Sequence, residues 1–347
     1  MPSFKIGSRE IGDNANPLII AEISANHNGS LKNCLNLIKS AKKNGADAIK
    51  IQTYTPEAMT INSRKKEFII KDGIWKNYSL WNLFEKAQTP YNWHKKIFNY
   101  CKKLKIKCFS SAFDQSSIEL LEKLNCPIYK IASFEMTDYS LLYKISKTKK
   151  PVIISTGLSN LEEIKDSVSF LKKNGTKEIA ILYCVSSYPA KDDEFNLKNI
   201  KILRDKFNCV IGFSDHSNNI EIAKLAYAMG ARIFEKHIAL ENQTKGFDIK
   251  FSLKGKELLF FKNELLKTKK FIGKYEFHRN KNELKNLKFR RSIYAIKDIK
   301  KNEKFSEKNI KTIRPASGLN PKLFFKILKK KSKKNIKKGS PIKLNYF

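Results

Sequence analysis

Two histidines in this sequence stand at the ends of consecutive short apolar runs. His216 ends the run VIGFSDH, and His237 ends the next run, RIFEKH. If these runs are neighbouring parallel strands, the two imidazoles come together at one end of the sheet. There they can bind a divalent metal ion that accepts nitrogen and oxygen ligands. Glu22, in the earlier run LIIAEIS, could supply an oxygen to the metal or to its bound water. The pair of histidines alone is a weak signal, and their placement is what favours a metal site.

Two lysines and a set of serines occupy the same kind of position. Lys50 and Lys130, in the apolar runs AIKIQT and YKIASFE, are expected to end the second and fourth strands. Serine hydroxyls occur at corresponding places of five runs, at Ser111, Ser133, Ser155, Ser186 and Ser214. One such serine is usually a turn former, but five at equivalent positions are not explained in that way. Two cations and a ring of hydroxyl donors suit a small phosphorylated anion.

Eight apolar, β-branched runs carry these residues and alternate with segments of helical periodicity, such as 161–175 and 220–230. The runs span Leu18–Ser24, Ala48–Thr53, Cys108–Phe113, Tyr129–Glu135, Pro151–Gly157, Ala180–Ser187, Val210–His216 and Arg232–His237. Strand alternating with helix eight times predicts an α/β fold, a closed (β/α)8 TIM barrel. Active sites of such barrels lie at the C-terminal ends of the strands. The pattern therefore indicates an enzyme.

The chain of 347 residues is longer than a barrel of roughly 250 residues needs. We expect a barrel over residues 1–272, a polar linker over 273–289 and a small β-rich domain with short helices over 290–347. Residues 54–91 are too long for one loop and contain Trp75 and Trp81. They form either a wall or lid of the substrate pocket or an ordinary amphipathic helix packed on the barrel.

Composition excludes several classes of protein. The net charge is +36, but 61 of the 69 basic residues are lysine and they are spread along the chain, whereas nucleic-acid surfaces favour arginine. We therefore expect no nucleic-acid partner, although a positive field would attract anionic substrates. No apolar run approaches the ~18 residues that span a membrane. The six cysteines form no CxxC motif, and reduced thiols in a cytoplasmic protein are expected.

A family resemblance rests on a series of motifs that span the whole chain. They are IIAEISANHNGS, KIQTY, YKIASFE, ISTG, SSYPA, GFSDHS, FEKHIAL and, near the C-terminus, TIRPASGLNP. In order and spacing they resemble the sialic acid synthase (nonulosonic acid synthase) family. Its members are transferases that condense phosphoenolpyruvate with a hexosamine aldehyde. The resemblance identifies the C-terminal domain as an SAF (antifreeze-like) domain.

The resemblance implies a role for each matching residue. The family's metal-binding histidines fall on His216 and His237, and its catalytic glutamate falls on Glu22. Its phosphoenolpyruvate contacts fall on Lys50, Ser111, Lys130, Ser133, Ser155, Ser186, Tyr188 and Ser214. Its sugar contacts fall on Glu135, Asp248 and, in the SAF domain, Arg314. Ser111 and Ser186 replace the Thr and Asn of neuraminate synthases, and KGFD (245–248) replaces a PGPD-like run.

The tryptophan-rich insert and the segments RRSIYAIKDI and IRPASGLNPK most resemble the pseudaminic acid synthase branch. That branch implies 2,4-diacetamido-2,4,6-trideoxy-L-altrose as the sugar and phosphate release by C–O cleavage. Alternatives within the family are N-acetylneuraminate or legionaminate synthesis. Rivals from other classes are a basic RNA-binding protein on an inactive barrel and an ice- or carbohydrate-binding SAF module. An inactive barrel would have lost the strand-end residues, but this sequence retains them, which disfavours the RNA-binding alternative. An SAF module that acts alone would need no barrel, which disfavours the second alternative.

The resemblance also implies a cofactor and a partner. The expected cofactor is a divalent metal, Mn²⁺ first, with Mg²⁺ or Co²⁺ as alternatives, and it would polarise the sugar carbonyl. The expected assembly is a domain-swapped homodimer in which the SAF domain covers the barrel mouth of the partner subunit. We expect no membrane partner.

Overall fold

The predicted (β/α)8 barrel is confirmed in the computed structural model, which describes residues 2–188, 190–274 and 276–347. The chain divides into two compact units, Met1–Gly273 and Lys274–Phe347. In the first unit, a hairpin of strands β1 (Phe4–Ile6) and β2 (Arg9–Ile11) precedes the barrel. The barrel strands are β3 (Leu18–Glu22), β4 (Ala48–Thr53), β5 (Lys107–Ala112), β6 (Tyr129–Ile131), β7 (Val152–Ser155), β8 (Ile179–Cys184), β9 (Val210–Asp215) and β10 (Ile233–Ala239).

The barrel closes between its first and last strands. β10 pairs in parallel with both β9 and β3, and the register places His237 opposite Glu22. A two-residue strand, β11 (Leu253–Lys254), extends the pairing of β10. The closure expected from the sequence therefore puts the catalytic-glutamate candidate beside a histidine candidate.

Most helices pack a buried apolar side on the outer face of the barrel, whereas Pro56–Met59 and Leu80–Ala87 belong to the insert between β4 and β5. The helices of the first unit are α1 (Leu31–Lys43), α2 (Pro56–Met59), α3 (Leu80–Ala87), α4 (Tyr91–Lys103), α5 (Gln115–Lys123), α6 (Tyr139–Lys147), α7 (Leu161–Lys173), α8 (Lys198–Lys206), α9 (Ile220–Met229) and α10 (Glu257–Ile272). Local sequence sets their ends: the Asn160 side chain accepts from two backbone amides at the start of α7, and Gly230 adopts φ 112° at the end of α9.

Several strands are shorter than the apolar runs that predicted them. β6 ends at Ile131, and Ser133–Glu135 form a 3₁₀ turn instead of continuing the strand. His216 lies just after β9, whereas Lys50, Lys130 and His237 lie inside their strands and not at the ends. The expectation that these three side chains end their strands is wrong. They face the barrel interior, where alternate strand residues point.

The second unit contains an antiparallel pair, β12 (Ser292–Ala295) and β13 (Ile310–Ile313). Two short helices, α11 (Lys281–Lys285) and α12 (Phe324–Ile327), belong to it. Its core is a cluster of isoleucines around Phe305. The predicted polar linker, 273–289, contains α11 and a 3₁₀ turn at Asn286–Phe289. Among the described residues, no helix is long and apolar enough to cross a membrane.

Candidate active site

Three charged side chains meet inside the barrel. Nζ of Lys50, on β4, lies 2.7 Å from Oε2 of Glu22 on β3 and 3.3 Å from Oε1 of Glu235 on β10. All three residues are buried. Since β3 separates β4 from β10 in the sheet, the contact between Lys50 and Glu235 spans the barrel interior. One ammonium thus sits between two carboxylates at the centre of the fold.

The pKa values of Glu22 and Glu235 are shifted in opposite directions by their surroundings. Burial raises the pKa of Glu22, and the charge of Lys50 offsets this only in part. Burial also opposes ionisation of Glu235, but Lys50 and Lys130 outweigh it and hold the pKa of Glu235 at about 2. Burial lowers the pKa of Lys50, yet its two carboxylate neighbours more than compensate and raise it. A carboxyl with a raised pKa beside one that stays ionised suits separate roles in proton transfer and charge stabilisation.

The second lysine is held by hydroxyl and carbonyl oxygens. Nζ of Lys130 donates to Oγ of Ser155 at 2.6 Å and to the Ile131 carbonyl at 3.0 Å. Burial lowers the pKa of Lys130, although Glu235 counters it. Nζ of Lys50 likewise lies 3.5 Å from Oγ of Ser111. The structure therefore brings both predicted lysines together with two of the predicted serines.

The other predicted serines divide into two groups. Ser214 donates to Oε1 of Glu235 at 3.2 Å, so it contacts the central carboxylate. Oγ of Ser133 lies 3.1 Å from Sγ of Cys184 and accepts from the Gly157 amide at 3.1 Å. A Cβ at Gly157 would come within 2.0 Å of Oγ of Ser186 and 2.8 Å of Oγ of Ser133. Only glycine lets these two hydroxyls approach the loop after β7 so closely.

The two histidines are neighbours, and each ring has a neighbouring oxygen. Their ring centroids are 5.6 Å apart. Nδ1 of His216 lies 3.0 Å from the Val185 carbonyl, which accepts a hydrogen bond when Nδ1 carries the proton. Nδ1 of His237 lies 3.5 Å from Oδ2 of Asp248. Burial lowers the pKa of His216 to about 3, so its imidazole is neutral at ordinary pH.

These residues fit a divalent ion in part. Neutral imidazoles oriented by oxygen atoms on their Nδ1 side are the usual form of metal-binding histidines. Within the part of the chain that the structure describes, no group of three or more His, Cys, Asp or Glu side chains is arranged to hold a metal. His216 and His237 can therefore supply two nitrogen ligands, and oxygens of substrate and solvent would complete the coordination.

Aromatic side chains enclose the histidine pair. The Tyr188 ring lies 4.5 Å from His216 and 5.3 Å from Phe251. Phe251 in turn lies 4.9 Å from His237. Burial raises the pKa of the Tyr188 phenol. Tyr188 thus sits beside the histidines, and its ring forms part of the wall around them.

The three predicted sugar contacts occupy different places. Asp248 is buried beside His237 and accepts from the Ala25 amide at 3.4 Å. Glu135 lies in the turn after β6, where burial raises its pKa to about 7 against the attraction of Lys130. Arg314 is an exposed residue of the second unit, directly after β13. Asp248 and Glu135 therefore lie at the barrel mouth. Arg314 belongs to the second unit.

The tryptophan-rich insert contributes a wall to the pocket, and its helix α3 (Leu80–Ala87) buries Leu83. Nε1 of Trp75 donates to the Phe247 carbonyl at 3.3 Å, and the Trp75 ring lies 5.6 Å from Tyr188. Trp75 therefore forms a wall at the catalytic end. Trp93, on α4, packs against the barrel core and lies 5.4 Å from the His27 ring. Trp93 therefore belongs to the ordinary packed helix that follows the insert.

A family model matches residues 37–277 of this chain, and its description is the NeuB family. The chain belongs to the NeuB family. Residues 290–346 match the SAF domain. A pseudaminic acid synthase of Campylobacter jejuni is 44% identical over 329 residues, which cover 95% of this chain and 96% of that protein. The N,N'-diacetyllegionaminic acid synthase of the same bacterium is 37% identical over 330 residues, 94% and 98% of the two chains.

A solved NeuB-like structure supports the same relationship. The crystal structure of the N-acetylneuraminic acid synthetase from Leptospira borgpetersenii, in complex with citrate, is 31% identical to this chain. It superposes with a TM-score of 0.74 over 82% of this chain and 95% of that one. This chain thus shares its fold with a sialic acid synthetase.

Reasoning from the sequence of this NeuB family member missed Glu235 and Gln52. Glu235 lies two residues before His237 in the run RIFEKH, so strand alternation puts both on the interior face. That alternation was the signal that could have revealed it. Nε2 of Gln52 donates to Oγ of Ser24 at 3.1 Å and lies 3.5 Å from Oε1 of Glu22. Nothing in the local sequence marks Gln52 for that role, because its partners Ser24 and Glu22 are remote in sequence.

Proposed function

We propose that this chain is a pseudaminic acid synthase. It condenses phosphoenolpyruvate with 2,4-diacetamido-2,4,6-trideoxy-L-altrose and releases phosphate by C–O cleavage. The observation that carries the reaction class is the placement of two adjacent imidazoles at the mouth of a barrel whose interior holds Lys50 and Lys130. The relationship with the Campylobacter jejuni pseudaminic acid synthase supports this sugar over that of a legionaminate or neuraminate synthase.

Lys50 and Lys130 bind the anionic groups of phosphoenolpyruvate in this proposal. Ser111 and Ser155 already contact the two ammonium groups, at 3.5 and 2.6 Å, and can donate to a phosphate or carboxylate in their place. Ser133, Ser186, Ser214 and Tyr188 complete the ring of hydroxyls. Fixed cations and hydroxyls in a buried site stabilise developing charge more strongly than water does.

His216 and His237 would hold the divalent ion, for which we propose Mn²⁺. When bound, it would supply Lewis-acid polarisation of the open-chain sugar carbonyl. The Val185 carbonyl and Asp248 lie on the Nδ1 side of the two rings, at 3.0 and 3.5 Å, and would orient them for a metal ion. Mg²⁺ and Co²⁺ are the alternatives to test, and the two imidazoles favour Co²⁺ over Mg²⁺, which prefers oxygen ligands.

Glu22 is the proton acceptor in the proposed sequence of steps. C3 of phosphoenolpyruvate forms a bond to the aldehyde carbon, which leaves a cationic C2 next to the phosphate oxygen. Water adds to C2 and gives a proton to the Glu22 carboxylate. The tetrahedral centre then breaks its bond to the bridging oxygen and releases phosphate, which takes the proton of the new C2 hydroxyl as the ketone forms. The proton held by Glu22 passes to the alkoxide that the aldehyde oxygen became. Glu235 remains ionised, because its pKa is about 2, and stabilises the cationic C2.

Glu135, Asp248 and Arg314 position the sugar. Asp248 lies beside His237 and can accept from a sugar hydroxyl near the carbonyl. Arg314 would reach the sugar from the partner subunit of a domain-swapped homodimer, which is part of the proposal. We also propose that the enzyme works in the cytoplasm, where phosphoenolpyruvate is available.

The purified protein, incubated with Mn²⁺ and each candidate sugar, tests the assignment. Phosphoenolpyruvate carries heavy oxygen at the bridging position, and both phosphate release and product mass are measured. We expect turnover of the trideoxy altrose, with the heavy oxygen in the released phosphate. Equal turnover of N-acetylmannosamine or of the legionaminate precursor would show that the assigned sugar is wrong. Heavy oxygen retained in the sugar acid would contradict C–O cleavage.

A further inference from the structure

A cavity of about 310 Å³ is lined by residues that adjoin the contacts of the histidine pair along the chain. Its lining includes Asn28, Trp75, Tyr78, Phe247, Ile249 and Lys250. Phe247 directly precedes Asp248, which contacts His237, and Ile249 and Lys250 directly precede Phe251, which packs on both imidazoles. The cavity is therefore a side chamber of the site already described.

The aromatic wall of this chamber is fixed by contacts of its own. The indole N–H of Trp75 donates a hydrogen bond to the Phe247 carbonyl at 3.3 Å. The Trp75 ring therefore presents its apolar surface, and not its N–H donor, to the chamber. The Tyr78 ring lies edge-on to Phe247 at 5.9 Å. Trp75 also reaches the Tyr188 ring, which touches His216. Such a wall favours a small apolar group, such as a methyl.

The lining also supplies one acceptor and one cationic donor. Nδ2 of Asn28 donates to the Lys245 carbonyl at 2.8 Å, which leaves its Oδ1 oxygen as an acceptor. This oxygen faces Gly246, at 3.5 Å from the position that a Cβ would take there. Lys250 is the charged residue of the lining and carries only donors. An acetamido group needs this combination: an acceptor for its N–H, a donor for its carbonyl and an apolar surface for its methyl.

We propose that this chamber binds the acetamido group on C4 of the sugar. The C2 substituent is attached next to the carbonyl carbon and stays beside the histidines, whereas C4 lies two carbons further along the chain. In the same way, Trp75 does not contact His216 directly in the structure described, because the Tyr188 ring lies between them and contacts both. Trp75 is thus a specificity-determining residue, an inference that rests on the proposed function.

Two sugars that differ only at C4 test the proposal. They are the 2,4-diacetamido-2,4,6-trideoxy-L-altrose and its analogue with a hydroxyl on C4. We expect the native enzyme to prefer the diacetamido sugar by about tenfold or more in kcat/KM, as the loss of a fitted group predicts. In Trp75→Ala this preference should shrink to less than about threefold, because only the diacetamido sugar loses its contact.

The matched control is Trp81→Ala, which removes the same side chain from helix α3 of the same insert, outside the chamber lining. It should keep the native preference, and Trp75→Phe should regain most of it. The KM for phosphoenolpyruvate should not change in Trp81→Ala. In the two Trp75 variants it should change less than the sugar preference does, because Trp75 contacts Tyr188 only through its ring. A native enzyme that uses neither sugar would refute the proposed function. A native enzyme that uses both equally, or a Trp75→Ala variant with unchanged preference, would refute the chamber alone.

Discussion

Nζ of Lys50 lies 2.7 Å from Oε2 of Glu22 in the interior of the barrel, and both residues are buried. Such a pair gains little stability over an apolar core, because both charges lose their hydration. Its presence beside two histidines is better explained by chemistry. The Lys50 ammonium can exchange its ion pair with the Glu22 carboxylate for one with an anionic substrate. Glu22 is then available to accept a proton.

Glu22→Gln should abolish most of the activity while leaving the fold intact. The amide keeps the shape of the side chain but cannot accept a proton, and Lys50 retains its contact with Glu235 at 3.3 Å. We expect kcat to fall by about 10²–10⁴-fold, with a smaller change in the KM for phosphoenolpyruvate. Glu221→Gln, at an exposed ion pair on α9, is the control and should retain native kcat. A Glu22→Gln variant within a few-fold of native kcat would exclude Glu22 as the base.

Lys50→Met should destabilise the barrel as well as inactivate it. Methionine has nearly the same length, but the substitution leaves Glu22 and Glu235 together without the cation between them. Removing one partner of a buried ion pair costs about 3–5 kcal/mol in free energy of unfolding. Urea unfolding at neutral pH measures this loss. The double variant Lys50→Met with Glu22→Gln should regain part of it, since one buried charge is gone, and an equally unstable double variant would contradict this account.

Removal of metal should stop the reaction reversibly. Chelation with EDTA should abolish phosphate release, and added Mn²⁺ should restore it. His237→Ala should lose bound metal, measured by elemental analysis, without losing its unfolding transition. His278→Ala is the control, because this exposed histidine lies in the second unit. Full activity in EDTA would refute the metal assignment.

Glu135 should make stability depend on pH near neutrality. Burial raises the pKa of Glu135 from 4.5 to about 7, and Asp138 adds to the rise while Lys130 and Lys50 oppose it. A raised pKa means that the folded state binds the proton more tightly than the unfolded state does. The stability from Glu135 is therefore complete below pH 4.5 and is lost as the pH rises through about 7.

Glu135→Gln removes this titration and serves to measure it. The difference in free energy of unfolding between native protein and variant should change by about 3 kcal/mol between pH 4.5 and 8, in favour of the variant at the higher pH. Glu194→Gln, at an exposed carboxylate, should show no such change. A constant difference between native protein and Glu135→Gln across this range would refute the raised pKa.

The barrel could be predicted from sequence because strand and helix periodicities differ and alternate regularly. Strand ends were less certain, since an apolar run such as Tyr129–Glu135 does not show where backbone pairing stops. β6 stops at Ile131 because the next residues turn toward the barrel mouth. The local sequence does not predict where that turn begins.

The site was predictable where a residue type is rare in a strand, as for Lys50, Lys130 and His237. Glu235 was overlooked although it occupies the same face as His237, because its importance depends on Lys50, which is remote in sequence. A role that depends on a partner remote in sequence can be recognised only from the folded barrel, in which the two residues come into contact. The contact between Trp75 and Phe247 has the same origin, since 172 positions separate the two residues in sequence.

Arg314 provides the last prediction, which concerns the proposed homodimer. It lies exposed at the end of β13 and directly before Pro315, whose ring restricts the backbone. A planar guanidinium held in this way suits a fixed donor to an acetamido oxygen. We expect Arg314→Ala to raise the KM for the sugar by about tenfold or more, as for loss of a charged hydrogen bond, and to change phosphoenolpyruvate binding little. Arg291→Ala, at an exposed arginine of the same unit, is the control.

Mixing Arg314→Ala with Glu22→Ala, at a sugar concentration at which each variant alone has little activity, tests whether the arginine acts across subunits. If the SAF domain of one subunit completes the barrel site of its partner, a hybrid of Arg314→Ala with Glu22→Ala has one site with both side chains intact. With excess Glu22→Ala, nearly every Arg314→Ala subunit is in such a hybrid. About half of the native activity per hybrid should therefore return, by the two-fold symmetry of the dimer. Mixtures that exchange subunits, shown by mass, yet stay inactive would mean that Arg314 acts within its own chain or not at all.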